Sequence, residues 1–406
     1  MLERPPYDIN LFHKIRIVHS ENRILTTHVG SLIRPPELIA VLERLYADED
    51  VPELESVLDS AVADIVREQR RHGIDIVSDG EFSKCYTWSQ YIIERLDGFE
   101  RRLLEPGAVF TTIRGKDYER FKEFYDEYEQ KEGPAGLGKS IKPSVLAVTG
   151  PLCYRDAAVK ADIARFKRAS EGVEMAGAFL PVVAPASVAP NRKDEYYKSD
   201  EEFLFALAEE LNREYRAIVD AGFIVQVDDA FMATHYDVIG DFDTYRKWAE
   251  LRVEALNRAL AGVPEERSRY HLCWGSWNGP HTNDIEMKRI VDLVVQIKVG
   301  SYAVEMANPR HEHEWRVWED VKIPDGKVLI PGVVSHCTNV VEHPELVAER
   351  IVRLAGLVGR ENVVAGSDCG FAQGPFGQRV HPSIMWAKLR AIADGASIAT
   401  RRLWEQ

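Results

Sequence analysis

The chain has 406 residues, a formal net charge of −14 at pH 7 and a pI near 5.4. Its length allows two average domains or one large barrel, and its acidity argues against a nucleic-acid partner, because neutralising phosphates requires a basic surface. The five cysteines are scattered and odd in number, which is not the disulfide framework of a secreted domain and favours a reducing cytoplasm.

The N-terminal stretch is polar and contains prolines, so we expect residues 1–22 to form an arm. Such an arm would lie over the surface or against another subunit of a homo-oligomer. Residues 1–10 lack the apolar run of a signal peptide, and no stretch of the chain approaches the ~18 to 20 continuous apolar residues of a membrane span. We therefore predict a cytoplasmic protein that has no membrane partner.

Strand and helix patterns alternate after the arm. A strand is predicted at 24–31, apolar positions at helical spacing occupy 36–72, and a second strand follows at 74–78. Residues from about 95 to 141 are charged and include too few apolar side chains for a core of their own, so they predict an inserted hairpin or helical segment. The next candidate strand is the apolar run 145–148.

The same alternation continues to the C-terminus. Residues 179–184 form another candidate strand, although two prolines, Pro181 and Pro185, make it a poor central one. An apolar stripe predicts a helix over 200–222, with Asp200 as the N-cap and Gly222 as the stop. The later predicted elements are a strand at 223–227, helices at 241–261, 284–297, 344–358 and 382–396, and strands that end near Cys273, Glu305, Val334 and Cys369.

This order of elements predicts the fold class. Strands that alternate with helices imply right-handed crossovers and a parallel sheet. Nine candidate strands over this length fit a closed (β/α)8 barrel of the TIM type, formed by residues 23–406, better than an open doubly wound sheet. One of the nine must then lie outside the barrel, and the sequence leaves open which one. There is no Gly-x-Gly-x-x-Gly motif that would support a nucleotide-binding fold.

One strand end carries a potential pair of metal ligands. Side chains alternate along a strand, so His271 and Cys273 point to the same face. An imidazole and a soft thiolate suit Zn²⁺, which takes four ligands, or three protein ligands and an open position when it is catalytic. Because two later strands end in Glu305 and Cys369, the working hypothesis is a zinc site made of these four residues.

Other ionisable side chains recur where predicted strands end. In a barrel of this type the loops after the strands form the active face. For a single aspartate or glutamate, the alternative is that a strand becomes polar where it meets water. The residues at these positions are His28, Ser31, Asp79, Glu81, Asp228, Asp229, His271, Cys273, Glu305, His336, Asp368 and Cys369.

Seven motifs in order resemble the C-terminal barrel of cobalamin-independent methionine synthase and its stand-alone relatives, which include the epoxyalkane:coenzyme M transferases. The motifs are Thr26-Thr27-His28-Val29-Gly30-Ser31, Asp79-Gly80-Glu81, Gln226-Val227-Asp228, His271-Leu272-Cys273, Val304-Glu305, Gly332-Val333-Val334-Ser335-His336 and Ser367-Asp368-Cys369-Gly370. The resemblance implies that zinc is bound by His271, Cys273, Glu305 and Cys369. It also implies that an amino-acid thiol is held by Ser31, Glu81 and Asp228, and that His336 is the proton donor.

The sequence also departs from the synthase pattern. The synthase's large N-terminal half is absent, and Thr234 replaces an acidic residue that in the synthase helps to bind the folate. Residues 274–282 are additional, and Lys84 stands where the synthase has an arginine. We therefore expect the usual folate donor to work poorly, while a smaller methyl donor, a corrinoid protein or an epoxide should work better.

Three hypotheses for the function follow. In the first, zinc holds a small-molecule thiol as a nucleophilic thiolate and the sulfur accepts a methyl group, which makes methionine or a similar thioether. In the second, the thiol adds to an epoxide or another alkyl donor, and a sulfonate-bearing thiol would need a cation such as Arg34 or Lys84. In the third, the barrel is a non-catalytic protein that zinc stabilises.

Overall fold

A computed structural model of the chain describes residues 18–103, 115–133 and 144–405. Most of the predicted N-terminal arm and part of the predicted insertion lie outside these ranges. Its strands are β1 (Leu25–Thr26), β2 (Ile76–Ser78), β3 (Leu96–Leu103), β4 (Ser144–Tyr154), β5 (Gly177–Val183), β6 (Lys193–Asp194), β7 (Ile224–Asp229), β8 (Ser268–Leu272), β9 (Ser301–Val304), β10 (Val328–Val334) and β11 (Val364–Ser367).

Eight of these strands form the predicted barrel. They lie in the order β1-β11-β10-β9-β8-β7-β5-β2, and each pair of neighbours is parallel. The two ends of this sheet meet, because Asp75 N donates to Thr26 O at 3.0 Å and Thr27 Oγ1 donates to Ile76 O at 3.0 Å. The TIM-type barrel predicted from the sequence is therefore confirmed.

The ninth candidate strand, 145–148, is the one outside the barrel. It belongs to β4, which pairs antiparallel with β3 and parallel with β6 in a separate three-stranded sheet. Two short helices lie between β3 and β4 in the chain, and an antiparallel pair requires no right-handed crossover, so these strands form a sheet outside the barrel. By contrast, β5 is a barrel strand despite Pro181. On one side, β5 pairs with β2 only from Gly177 to Phe179, so Pro181 lies beyond the end of that ladder. On the other side, Pro181 lies opposite Gln226 of β7. A proline cannot donate a ladder hydrogen bond, and here only one neighbouring strand lies beside it.

The helices pack around the barrel, and some differ from the predictions. Ser199, not Asp200, caps α6, because its Oγ accepts from Glu202 N at 3.1 Å. The helix predicted at 284–297 is reduced to one short α-helix after a 3₁₀ turn. The helices are α1 (Pro36–Tyr46), α2 (Leu54–Arg71), α3 (Lys116–Arg120), α4 (Lys122–Glu132), α5 (Ala157–Ser170), α6 (Asp200–Asp220), α7 (Phe231–Ile239), α8 (Phe242–Ala259), α9 (Val291–Val294), α10 (Val317–Asp320), α11 (Pro344–Val358) and α12 (Pro382–Trp404).

The described part of the insertion is tied to the loop after β8. The Asp117 carboxylate accepts from Thr282 N at 3.0 Å, from Thr282 Oγ1 at 2.6 Å and from His281 N at 3.2 Å. It also accepts from the hydroxyl of Tyr125, a buried side chain on α4, at 2.8 Å. Residues 274–282, which are additional relative to the synthase pattern, thus form a fixed wall together with α3 and α4.

The barrel interior is apolar at the amino ends of the strands and becomes polar towards their carboxyl ends. A small cluster that includes Leu25, Phe179 and Val364 fills the apolar layer. Above it, Arg269 donates to Gln226 Oε1 at 2.5 Å and lies with its guanidinium carbon 3.4 Å from the centroid of the Phe179 ring. Among the described residues, no helix is long and apolar enough to cross a membrane.

Candidate active site

The residues predicted to form the site lie at the carboxyl ends of the barrel strands. A cavity of about 340 Å³ opens there. A barrel brings all of its strand ends to one face, which explains how positions far apart in sequence converge. Six of the eight predicted residues line this cavity, and they are Ser31, Glu81, Asp228, His271, Cys273 and Cys369.

One wall of the cavity consists of the two cysteines and a histidine, and we call it the sulfur wall. The Cys273 and Cys369 sulfur atoms lie 3.3 Å apart, and a ring nitrogen of His271 lies within 4.8 Å of both. Neither ring nitrogen of buried His271 has a hydrogen-bond partner of normal geometry among the described residues. Because a buried polar atom without a partner is costly, this arrangement is typical of a metal ligand.

The protonation states of the sulfur wall follow from burial and from the sulfur–sulfur contact. Burial lowers the pKa of His271 to about 3, so its imidazole is neutral and has a lone pair for a metal. The hydrogen bond with Cys369, together with burial, raises the pKa of Cys273. The pKa of Cys369 is raised as well, so in a metal-free site both thiols carry their protons at neutral pH and metal binding must displace them.

The predicted fourth ligand, Glu305, lies in a neighbouring group. Its carboxylate accepts from Trp274 N at 3.0 Å and from Asn308 Nδ2 at 2.9 Å. The carboxylate oxygens of Glu305 and Asp368 and a ring nitrogen of His336 lie within 4.8 Å of one another. Burial, and then the nearby Asp368, raise the pKa of Glu305 to about 7. The structure thus brings three predicted ligands into one group and places the fourth beside the predicted proton donor.

His336 is buried and is not among the residues that line the cavity. Both of its ring nitrogens also lack a hydrogen-bond partner among the described residues. Burial lowers its pKa to about 3. The loop that carries it is anchored, because Ser335 N donates to Glu342 at 2.8 Å and Lys388 donates to the other oxygen of that carboxylate at 2.8 Å.

Glu81 and Asp228 form a second wall, which we call the carboxylate wall. Lys84 Nζ donates to Glu81 Oε2 at 3.1 Å, and both side chains are buried. Glu81 has a φ of 61°, a left-handed conformation that is uncommon for a residue other than glycine and that occurs at functional sites. A Cβ at Gly30 would lie 2.7 Å from Glu81 Oε1, so only glycine leaves room for this carboxylate.

Asp228 is connected to the interior of the barrel. Gln226 Nε2 donates to Asp228 Oδ1 at 2.6 Å, and the same Gln226 accepts from Arg269. Register pairs Asp228 with His271 on the adjacent strand, which brings the two walls together at the base of the cavity. Burial, and then the charge of Glu81, raise the pKa of Asp228.

Ser31 and Arg34 differ in whether they reach the cavity. Ser31 lines the cavity, and its carbonyl accepts from Phe371 N at 2.8 Å, which joins the first loop to the loop of Cys369. Arg34 donates to the carbonyl oxygens of Gly374, Glu81 and Lys84 and does not line the cavity as described. Arg34 was one of two cations named for a sulfonate-bearing thiol, and in the structure its guanidinium instead joins the loop of Glu81 and Lys84 to the loop of Gly374.

Several cavity residues were not predicted. Trp88 and Asn191 come from the segments next to the three-stranded sheet, while Ser276, Trp277 and Arg379 come from the loops that follow β8 and β11. Ser276 and Trp277 lie in the stretch 274–282 that is additional relative to the synthase, whereas no motif or periodicity marks the other three. Thr234, which was singled out as a departure from the synthase, also lines the cavity.

Curated relatives of this chain match over nearly its whole length. The methionine synthase of Thermococcus kodakarensis is 26% identical over 385 residues, which are 93% of this chain and 94% of that protein. The 2-hydroxypropyl-CoM lyase of Xanthobacter autotrophicus is 23% identical over 409 aligned positions, covering 94% of this chain and 96% of that protein. No protein-family model matches the chain.

Solved structures agree on the fold. A B12-independent methionine synthase from a Shewanella species in complex with selenomethionine has a TM-score of 0.69 at 19% identity and covers 95% of this chain and 100% of that one. A putative vitamin-B12-independent methionine synthase from Listeria monocytogenes has a TM-score of 0.64 at 20% identity and covers 93% of this chain. Together with the curated relatives, these matches confirm the resemblance: the chain is similar over nearly its whole length to proteins named methionine synthase and 2-hydroxypropyl-CoM lyase, and it has the fold of the B12-independent methionine synthase structures.

Proposed function

We propose that this protein is a zinc-dependent transferase that alkylates a substrate thiol, most simply by methyl transfer to homocysteine or a similar thiol. The observation that carries the proposal is the sulfur wall, in which two cysteine sulfurs and an unsatisfied His271 open onto the same cavity as Glu81 and Asp228. Curated relatives named methionine synthase support a homocysteine-type thiol as the acceptor of the methyl group. We further propose that residues 23–406 form one cytoplasmic catalytic barrel, with 1–22 as an arm.

The donor set fits zinc. His271, Cys273 and Cys369 supply one nitrogen and two sulfurs, which is a zinc-type set with one position left. Glu305, whose carboxylate interacts with the Cys273 side chain, is the carboxylate proposed for that position, and a substrate thiol would compete for it. When bound, zinc supplies a Lewis acid that keeps a thiol deprotonated and nucleophilic at neutral pH.

The carboxylate wall would bind the amino group of an amino-acid thiol. Glu81 is paired with the ammonium of Lys84, whereas the hydrogen bond that Asp228 accepts comes from the neutral amide of Gln226, so the Asp228 carboxylate is available to pair with a substrate ammonium. The pKa of Asp228 is raised because burial and the negative charge of Glu81 both disfavour the ionised carboxylate. A substrate ammonium would relieve this repulsion.

His336 would protonate the leaving group. Once the sulfur attacks the alkyl carbon, the bond from that carbon to its former nitrogen or oxygen breaks and the leaving atom takes up a proton. Because burial keeps the free His336 ring neutral, we propose that this side chain takes up the proton released by the substrate thiol and delivers it to the leaving atom. Its anchored loop would keep the ring in position.

A second candidate function is thiol addition to an epoxide. It is favoured by the relative named 2-hydroxypropyl-CoM lyase, which this chain matches over 94% of its length. The absence of the large N-terminal half does not decide against the first function, because the chain spans 94% of a protein named methionine synthase. Poor use of the folate donor stays a prediction, based on Thr234 in the cavity wall.

The test is a metal analysis combined with a screen of thiols against alkyl donors. Protein purified without added metal should contain one zinc per chain, and a homocysteine-type thiol should be methylated or a thiol should open an epoxide. Protein that is folded yet binds no zinc, or that holds zinc and alkylates no thiol, would contradict the proposal. The second of these results would favour a barrel that zinc merely stabilises.

A further inference from the structure

A group of two histidines and two carboxylates lies against the loop that follows Cys273 and takes no part in the proposed chemistry. It consists of His281, Asp284, His311 and Glu314, and we call it the histidine cluster. The Asp284 carboxylate lies between the two rings, 3.1 Å from His281 Nδ1 and 3.0 Å from His311 Nε2. His311 Nδ1 lies 3.3 Å from Glu314 Oε1. The four side chains are at most 12% exposed, so water cannot compensate their charges.

Both rings of the histidine cluster face hydrogen-bond acceptors with both of their nitrogens. His311 lies between the two carboxylates, while His281 lies between Asp284 and a backbone carbonyl oxygen that is 3.0 Å from its Nε2. A neutral imidazole donates from only one nitrogen, whereas an imidazolium donates from both. Although burial disfavours the charge, the hydrogen bonds to Asp284 and Glu314 raise the pKa of His311 to about 10, and the charge of Glu305 acts in the same direction. The two rings are therefore imidazoliums at neutral pH, and the two carboxylates balance their charge.

Each imidazolium of the histidine cluster stacks on a tryptophan of the loop 274–282. The ring centroids of His311 and Trp274 are 4.4 Å apart, and those of His281 and Trp277 are 4.5 Å apart. A cation over the face of an indole is a favourable contact, and it is stronger where water is excluded. The indole nitrogen of Trp274 also donates to a backbone carbonyl at 2.7 Å. The cluster thus holds this loop at two points.

Trp274 connects the histidine cluster to the candidate metal ligands. It follows Cys273 directly in the chain, and its backbone N donates to Glu305 Oε1 at 3.0 Å. Trp274 therefore lies between two proposed ligands, one after β8 and one after β9. Residues that hydrogen-bond to a metal ligand fix its orientation, and their loss weakens metal binding.

We propose that His311 is a positioning residue of the candidate zinc site. Its imidazolium is held by Asp284 and Glu314, and it fixes Trp274 so that the N–H of Trp274 orients the Glu305 carboxylate. The inference rests on the proposed function, because it takes Glu305 as a zinc ligand. It gives a role to a buried charged group that neither holds the metal nor lines the cavity.

Zinc binding by a charge-balanced double variant tests this role. Combining His311→Gln with Glu314→Gln removes one cation and one anion together, so the net charge near the metal stays the same. Competition with a chromogenic chelator should show a zinc affinity about 10- to 100-fold below that of the wild type. The matched control combines His72→Gln with Glu68→Gln, because His72 also stacks on a tryptophan, Trp386, and lies beside Glu68, and none of the three lines the cavity. This control should bind zinc as the wild type does.

Two further readouts separate positioning from a general loss of stability. The visible absorption bands of Co²⁺ depend on the arrangement of its ligands, so the bands of the cobalt-substituted double variant should shift while those of the control stay in place. In metal-free wild type with ¹⁵N-labelled histidine, NMR at about pH 9 should still show an imidazolium, although a histidine with the ordinary pKa near 6.5 is neutral there.

The outcomes distinguish this inference from the proposed function. Wild-type zinc affinity in the double variant, unchanged cobalt bands or the loss of every imidazolium signal at about pH 9 would each overturn the role of His311 and leave the zinc site standing. If the wild type binds no zinc, the proposed function itself fails. Should the double variant not fold, Glu314→Gln alone is substituted with cobalt, and unchanged bands in that variant would overturn the inference.

Discussion

The two walls of the cavity differ in how completely their polar atoms are satisfied. In the carboxylate wall, Glu81 accepts from Lys84 and Asp228 accepts from Gln226, so each carboxylate has a protein partner. In the sulfur wall, the Cys273 and Cys369 sulfurs contact each other, while the ring nitrogens of His271 have no hydrogen-bond partner of normal geometry among the described residues. The difference teaches that the protein itself supplies hydrogen bonds to the carboxylate wall, whereas the sulfur wall keeps a buried nitrogen available as a metal ligand.

The largest expected effect comes from removing a sulfur ligand. Cys369→Ser should abolish stable zinc binding, because changes to groups around a ligand already cost about 10- to 100-fold in metal affinity and losing a ligand should cost more. Zinc content after dialysis against a chelator, together with thiol alkylation, measures the effect. Exposed Cys153 provides the matched control, since Cys153→Ser should keep full zinc. Full zinc in Cys369→Ser would show that the sulfur wall is not a metal site.

A smaller effect, confined to turnover, is expected at His336. Loss of a general acid typically costs about 10² to 10⁴ in rate, so His336→Asn should lower kcat by that factor. Zinc content and thiol affinity should stay near wild type, because His336 is not among the residues that line the cavity. Exposed His313 is the control, and His313→Asn should be neutral. If His336→Asn instead loses zinc, the histidine belongs to the metal site and its assignment as proton donor is wrong.

The third prediction sharpens the role of the carboxylate wall. Glu81→Gln should weaken binding of an amino-acid thiol by about 30-fold or more, since losing a buried charge partner costs roughly 2 to 5 kcal/mol. Zinc content should not change, and a thiol without the amino group should be affected far less.

Because Lys84 is the protein partner of Glu81, Lys84→Met is a necessary companion variant. Removing this cation leaves the carboxylates more negative, so binding of the amino-acid thiol should be retained or strengthened. If Lys84→Met reproduces the loss seen in Glu81→Gln, then Glu81 serves the internal ion pair and does not bind the substrate.

The smallest expected effect concerns the link between the insertion and the cavity loop. Asp117→Ala leaves several donors of 281–282 and α4 without their acceptor, which should lower the free energy of unfolding by about 1 to 3 kcal/mol. Urea denaturation measures the change. Asp394→Ala, in an exposed i,i+4 pair with Arg390, should cost only about 0.3 to 0.5 kcal/mol. Equal losses in the two variants would mean that Asp117 does not stabilise the loop.

Much of the architecture could be predicted because barrel strands impose local patterns. The alternation of apolar runs with helical stripes predicted a parallel barrel, and the period of two predicted that His271 and Cys273 share a face. Ordered motifs at strand ends added the family resemblance. These signals depend only on neighbours along the chain or on the general rule that strand ends meet at one face.

The sequence by itself therefore determined the fold class, the face that carries the site and the residue types at the sulfur wall. Tertiary structure alone decided which apolar run leaves the barrel, since β4 is set apart by its antiparallel pairing with β3. It also decided that Cys273 meets Cys369 across 96 residues, that Glu305 joins His336, and that Arg34 is used within the fold while Arg379 reaches the cavity. Such contacts depend on loop paths and long-range packing, and no local periodicity encodes them.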